Sequence, residues 1–363
     1  MADNSFCDIL NNQSNVFTQN HMEEIQMYFD LSGLWQADIG DGKVYPMQLP
    51  GTLDENRIGH KDLGQNQWHP DAALGNAEEG FNENAPIATR FTRKYTFEGE
   101  ARLTRRISFT PEEGKRVFLE AERVRYLRLL VDGKEVPHFS EGSLSTPHVF
   151  EVTGLLNGDN EITLLSDNSY PGLPHDAIVY SSAATDETQT NWNGVLGYLR
   201  LRVEEQVFLS ALRIYPDRDG ETLTVQAEVS ADRFWSGTLL VESGALKKEK
   251  SGAQEYAGYQ KEICVQPGLT RFVLEKLPLA GDVRRWDEEE GNLYELTARL
   301  SAKERQELAS RTETFGVRTF GDNGKGRLAL NGRVIFLRSE ANCCEFPETG
   351  HPPMTVEEWM DVL

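Results

Sequence analysis

Short runs in which apolar and polar residues alternate dominate this 363-residue chain. Leu223, Val225, Ala227 and Val229 alternate with Thr222, Thr224, Gln226 and Glu228, and a period of two sends one set to a buried face and the other to solvent. Thr238–Val241, Arg271–Leu274 and Leu293–Leu296 are similar segments. Upstream, Arg93–Phe97, Arg106–Phe109, Val117–Ala121, Tyr126–Val131 and Glu161–Leu165 read as strands, punctuated by turn signals at Asp132-Gly133 and Gly158-Asp159-Asn160. Strands with little helix between them predict an all-β protein of sandwich or jelly-roll type over residues 28–205. The hundred or so residues 206–316 suit an immunoglobulin-like sandwich. Residues 1–27, polar and rich in Asn and Gln, read as an N-terminal arm.

The pattern changes after about residue 317. Leu328–Leu330 and Val334–Leu337 are apolar runs separated by Asn331-Gly332, a pair that accepts the positive φ angles of a type I′ hairpin. The second run, short and continuous, predicts a strand buried on both faces. Beyond Pro352-Pro353, Thr355 can cap a helix and Glu358 can reach back to close a capping box. Met354 and Trp359 stand where a hydrophobic staple needs them. The tail thus reads strand, loop, helix start.

These pieces fall in an order that resembles glycoside hydrolase family 2, the family of β-galactosidases, β-glucuronidases and β-mannosidases. Leu31-Ser-Gly-Leu-Trp35 is similar to its opening strand and Leu49-Pro-Gly-Thr52 to its first loop. Val117–Ala121 through Val131–Lys134 is similar to its sandwich core. Phe150–Thr153 with Gly158–Asn160, then Trp286 with Leu293-Tyr294, and finally Phe315–Phe320 with Leu328–Arg338, follow in family order. The resemblance covers roughly residues 28–363 and selects the jelly roll for the first unit. It implies that residues 317–363 open a catalytic (β/α)₈ barrel, a fold of roughly 250 residues, so the rest of the barrel is expected beyond Leu363.

Composition narrows the functional classes. A net charge of −21, with no cluster of Lys and Arg, excludes a nucleic-acid partner, because phosphate binding draws on clustered basic residues. A neutral sugar is compatible with it. No window approaches 18 consecutive apolar residues, so no membrane span is expected. The first 20 residues lack the basic start and apolar core of a signal peptide, and cytoplasmic residence is the expectation. Cys7, Cys264, Cys343 and Cys344 are too scattered for a disulfide framework. Cys343-Cys344 with His351 lacks a fourth ligand of recognisable spacing, so neither metal nor cofactor is expected.

Glycoside hydrolysis with retention needs two carboxyl groups about 5 to 5.5 Å apart, one as acid and one as nucleophile. The resemblance places both on later barrel strands, so no catalytic residue is expected here and the segment alone should be inactive. Accessory residues are expected. Arg338 ends the first barrel strand, at the face where barrel active sites form. Its guanidinium can hold a carboxylate in a fork or pair structurally with a neighbouring strand. The family often shows Gly-x-Asn-Arg-His where this chain has Ser339-Glu340-Ala341-Asn342-Cys343, which leaves the preferred sugar open. Glu340 and Asn342 can bind sugar hydroxyls or stabilise the loop. Ser166–Asn193 is a long stretch rich in Gly, Pro and Asn, of the kind that reaches into sites. Within it Trp192 can stack on a sugar between Asn191 and Asn193, or plug a domain interface while the asparagines cap turns. Trp68, His69 and His175 are assigned no role, Gly321–Gly326 reads as a turn, and the acidic run Asp287–Glu290 as a solvated loop. The resemblance thus implies the N-terminal part of a retaining exo-β-glycosidase, β-galactosidase-like, with a terminal β-linked sugar as partner and a homo-oligomer compatible with the chain. A stand-alone carbohydrate-binding or interaction module is the alternative.

Overall fold

Gly158–Asp167 pairs along its whole length with Glu100–Phe109, and this ladder is the spine of the first sandwich. The computed structural model describes residues 27–61, 95–174, 191–246, 257–279, 282–302, 307–339, 351 and 353–362. Around the spine runs a six-stranded antiparallel sheet in the order Lys134–Val136, Tyr126–Val131, Gly158–Asp167, Glu100–Phe109, Gly33–Asp38 and Val44–Leu49. A five-stranded sheet completes the unit, in the order Met27–Asp30, Leu199–Glu204, Arg116–Ala121, His148–Glu151 and His138–Ser140. Alternation puts Trp35, Leu103, Leu119, Leu129, Ile162, Leu164 and Leu201 into one buried cluster between the sheets. Burying a side chain of that size contributes about 1.5–3 kcal/mol. Trp35 keeps its polar atom satisfied, its indole Nε1–H donating to Leu31 O at 3.0 Å.

The second sandwich packs a three-stranded sheet (Val207–Pro216, Thr222–Ala231, Gly268–Pro278) with a four-stranded one (Ala257–Val265, Trp235–Leu246, Tyr294–Ser301, Glu307–Phe315). Leu223, Val225, Ala227 and Val229 are buried there with Leu239, Val241, Leu296 and Leu300, the face their period requires. The all-β expectation holds, and so do the two successive sandwiches.

Phe118 and Val149 of the first sandwich belong to the core of the second, so the two units share a joint. Arg116 sits in it, its guanidinium 5.0, 5.9 and 5.3 Å from the ring centres of Phe118, Phe139 and Phe208. It binds both carboxylate oxygens of Glu151 at 2.8 Å and donates to Ser230 Oγ at 2.8 Å.

After the sandwiches, Phe320–Asp322, Leu328–Leu330 and Arg333–Val334 form a small antiparallel sheet. Asn331 and Gly332 adopt φ of 53° and 82°, the hairpin turn the pair predicts. One expectation fails here. Val334–Leu337 is not a strand buried on both faces: regular structure stops at Val334, and Phe336 and Leu337 are exposed. The described residues offer this run a single partner strand, so its backbone pairs on one side at most and its side chains have nothing to cover them. The capped helix does form, over Val356–Val362. Glu358 N–H donates to Thr355 Oγ1 at 3.2 Å while Glu358 Oε2 accepts from Thr355 N at 2.9 Å, the reciprocal pair of a capping box.

Candidate functional site: the loop end of the first sandwich

At one end of the first sandwich the chain crosses itself at close range. Gly51-Thr52 pairs with Gly194-Val195, and Leu53 N donates to Asn193 O at 2.9 Å. The crossing needs glycine: Gly194 has φ +138°, and a Cβ there would lie 2.3 Å from Gly51 O. A side chain at this point would drive the two backbones apart.

The asparagines that follow Thr190 are used up in holding this crossing. Asn193 Nδ2 donates to Gly99 O at 2.9 Å and Ser166 O at 3.2 Å, and its Oδ1 accepts from Ser166 Oγ at 2.6 Å. Asn191 and Asn168 exchange bonds, Asn168 Nδ2 to Asn191 O at 2.7 Å and Asn191 Nδ2 to Asn168 O at 3.1 Å. Trp192 is 6% exposed, with the Arg125 guanidinium 4.9 Å from its ring centre and Arg125 Nε donating to its carbonyl at 2.9 Å. Arg125 also binds the Tyr170 hydroxyl. All three residues of Asn191-Trp192-Asn193 therefore point inward. Trp192 is thus buried within the first sandwich, against Arg125.

Arg338 is exposed, in an extended segment without regular structure, and Glu340 and Asn342 lie outside the described residues, as do Trp68, His69, His175, Cys7, Cys343 and Cys344. Among the described residues no three His, Cys, Asp or Glu side chains gather as a metal site.

Sequence reasoning missed one contact. His351 is buried, and its Nε2 lies 3.1 Å from Glu55 Oε1. Glu55 is itself fixed by a capping box, Thr52 N donating to Glu55 Oε2 at 2.8 Å and Glu55 N to Thr52 Oγ1 at 3.1 Å. The tail thereby lies against the loop that follows Gly51-Thr52 in the first sandwich. Glu358 belongs to the same cluster. Bonds from the Met354 and Thr355 amides, with a smaller contribution from nearby His351, hold its carboxyl below the usual carboxylate range. The Thr-x-x-Glu spacing at Thr52 and Glu55 was a visible signal of the anchor, whereas nothing in the sequence pairs it with a residue nearly 300 positions on.

Two tandem β-sandwiches, a short hairpin and a capped helix make up an all-β scaffold. Residues 207–318, which make up the second sandwich, match the model of "Glycosyl hydrolases family 2". Solved structures share the wider arrangement. Bacteroides uniformis β-glucuronidase 2, covalently bound to cyclophellitol-6-carboxylate aziridine, aligns with a TM-score of 0.62 and 17% identity over 86% of this chain and 35% of its own. A putative β-galactosidase from Bacteroides fragilis gives 0.59 and 17% over 85% and 44%. A family 2 β-galacturonidase from Eisenbergiella tayi bound to glycerol gives 0.56 and 20% over 85% and 46%. At these identities the likeness is one of fold. The chain spans between about a third and a half of the length of these enzymes. No curated protein matches it at the sequence level.

Proposed function

We propose that this chain is the non-catalytic N-terminal part of a retaining exo-β-glycosidase of family 2, β-galactosidase-like in the sugar it releases. In this reading residues 28–205 are the jelly-roll sugar-binding domain, 206–316 the immunoglobulin-like domain, and 317–363 the entry to a catalytic (β/α)₈ barrel. The observation that carries it is the family match on the second sandwich within a chain that aligns to 35–46% of the length of solved glycosidases.

The chemistry follows from what a glycosidic bond demands. One carboxylic acid protonates the leaving oxygen, and a second carboxylate about 5 to 5.5 Å away attacks the anomeric carbon. In the proposal both are supplied beyond Leu363. The tandem sandwiches hold the barrel and shape one wall of its mouth, with His351 of the tail set beside Glu55 of the jelly roll. Arg338 is proposed to orient and keep ionised the nucleophile through a charge-assisted fork. Glu340 and Asn342 are proposed to meet sugar hydroxyls.

A panel of aryl β-glycosides tests the reading. Turnover of one of them by the full-length protein is expected, with none by the purified 363-residue chain. A full-length protein that binds sugars and hydrolyses none of the panel would favour a binding module.

A further inference from the structure

At the edge of the five-stranded sheet two histidines meet. His138 begins the edge strand His138–Ser140, opposite Phe150 in the register, where the ladder is shifted between His138 and Ser140. His148 begins the next strand and is 1% exposed. Their facing nitrogens, His138 Nε2 and His148 Nδ1, are 3.3 Å apart. The His138 ring also lies on Phe150, with centres 4.3 Å apart.

The hydrogen bonds around His148 fix its protons. Its Nε2 lies 3.3 Å from the carbonyl oxygen of Val124, and a carbonyl only accepts, so Nε2 carries the hydrogen. Nδ1 is then a lone pair, and it accepts from Gly142 N–H at 3.3 Å. His138 Nε2 must be the second donor to that lone pair, since two lone pairs would repel at this distance. The arrangement requires a neutral His148; protonation of the His138 ring is opposed by burial and eased by its bond to the Leu127 carbonyl. A proton added at His148 Nδ1 would meet two N–H groups head-on, in a place with almost no water to solvate the charge.

We propose that the His138–His148 pair is an acid-sensitive latch: with His148 neutral it fastens the hairpin 138–151 to the sandwich, and protonation of His148 releases it. Besides the rings themselves, the charged groups acting on the pair are Glu141 on the hairpin and Glu135 on the adjoining strand. Both favour protonation, but Glu141 is solvent-exposed and its effect is screened. The release reaches further than the hairpin. Phe139, next in the chain, packs edge-on against Phe118 at 5.0 Å and forms one wall of the Arg116 cage, so an open hairpin also loosens the joint between the sandwiches.

Burial, opposed by the bond to Val124, pushes the His148 pKa down from 6.5 to about 4, and burial lowers that of His138 as well. The unfolded chain therefore binds protons that the folded chain refuses. Stability is full above pH 6.5 and falls as pH drops toward about 4. For His148 alone, the unfolding equilibrium constant at pH 4.5 should exceed its neutral value by a factor on the order of 80.

The test is carried out on the whole 363-residue chain with ¹³C-labelled histidine. The His148 ring should not titrate above pH 5, and amide protection over residues 138–151, corrected for intrinsic exchange, should fall between pH 6.5 and 4.5 and stay below that of Gly158–Asp167, which is lost only with global unfolding. His148→Phe, which cannot titrate, should lose most of the excess acid sensitivity in urea unfolding, and His148→Gln serves if the Phe variant does not fold. An ordinary His148 titration near pH 6.5, or hairpin protection that ignores pH in the wild-type chain, overturns the latch whether or not either variant folds.

Discussion

Replacing Arg116 with Ala attacks the joint between the sandwiches at its centre, and the structure gives the size of the effect. Three losses combine. Glu151 loses the guanidinium that binds both its oxygens at 2.8 Å. Breaking a fully buried pair costs about 3–5 kcal/mol, but the Glu151 side chain is 32% exposed and water will solvate it, so about 1–2 kcal/mol applies. Ser230, fully buried, loses its donor, for about 1 kcal/mol. The three phenylalanine rings lose a partly desolvated cation, for about 1 kcal/mol. The expected loss is about 3–4 kcal/mol at pH 7, read from the first urea midpoint. Lys at 116 keeps the charge without the fork and should lose about half as much. The pH dependence has a definite sign. Bonds from Arg116 chiefly hold Glu151 below its usual value of 4.5, so the pair stabilises fully above pH 4.5 and its contribution is lost as pH falls through the folded value. Arg116→Ala should flatten that limb. A double-mutant cycle with Glu151→Ala separates the pair from general packing damage. A loss below about 1 kcal/mol, or equal losses from Arg116→Ala with and without Glu151, would refute the account of the joint.

Three further outcomes follow from the loop end and the tail. Gly194→Ala places a Cβ 2.3 Å from Gly51 O at φ +138°, so it should cost about 3 kcal/mol or more in thermal unfolding, with Gly51-Thr52 losing amide protection first. Asn193→Ala strips the partners from Gly99 O, Ser166 O and Ser166 Oγ and should cost about 2–4 kcal/mol. A wild-type melting temperature in that variant would mean that the side chain is free for another task. Glu358→Ala opens the capping box at Thr355 and should lower protection of Val356–Val362 by about 1 kcal/mol at pH 7. Because the Glu358 pKa is lowered in the fold, the wild-type helix should lose the same stabilisation as pH falls below 4.5, and the variant should not.

Much of this architecture can be read from the chain because it rests on local rules. Tyr126–Val131 is a strand with the bounds its alternation gives, and its inward Leu127, Leu129 and Val131 are buried. The hairpin at Asn331-Gly332 and the box at Thr355 and Glu358 need only neighbours within a few positions. What escapes local rules is decided by distant partners. Asn191, Trp192 and Asn193 carry sugar-binding chemistry in their side chains, yet their partners at Gly99, Arg125 and Asn168 turn them inward. Val334–Leu337 has the composition of a buried strand, and composition cannot supply the neighbouring strands that would bury it. The His138–His148 pair is invisible for a related reason. The rings are ten positions apart on a hairpin, in a ladder whose register shifts between His138 and Ser140. Arg338, Glu340 and Asn342 belong to the proposed site through a family resemblance, which no local pattern of theirs replaces.

The central proposal is that this chain supplies the scaffold of a retaining glycosidase and none of its hydrolytic carboxylates. Covalent trapping tests it most directly. An activated 2-deoxy-2-fluoroglycoside or a cyclophellitol aziridine of the preferred sugar esterifies the nucleophile of a retaining enzyme and stays attached. Incubated with the full-length protein and with the 363-residue chain side by side, then read by intact-mass and peptide mass spectrometry, the probe should add one label to the full-length protein, on a glutamate beyond Leu363. The shorter chain should gain none. A stoichiometric label on any Asp or Glu between residues 1 and 363 would contradict the claim.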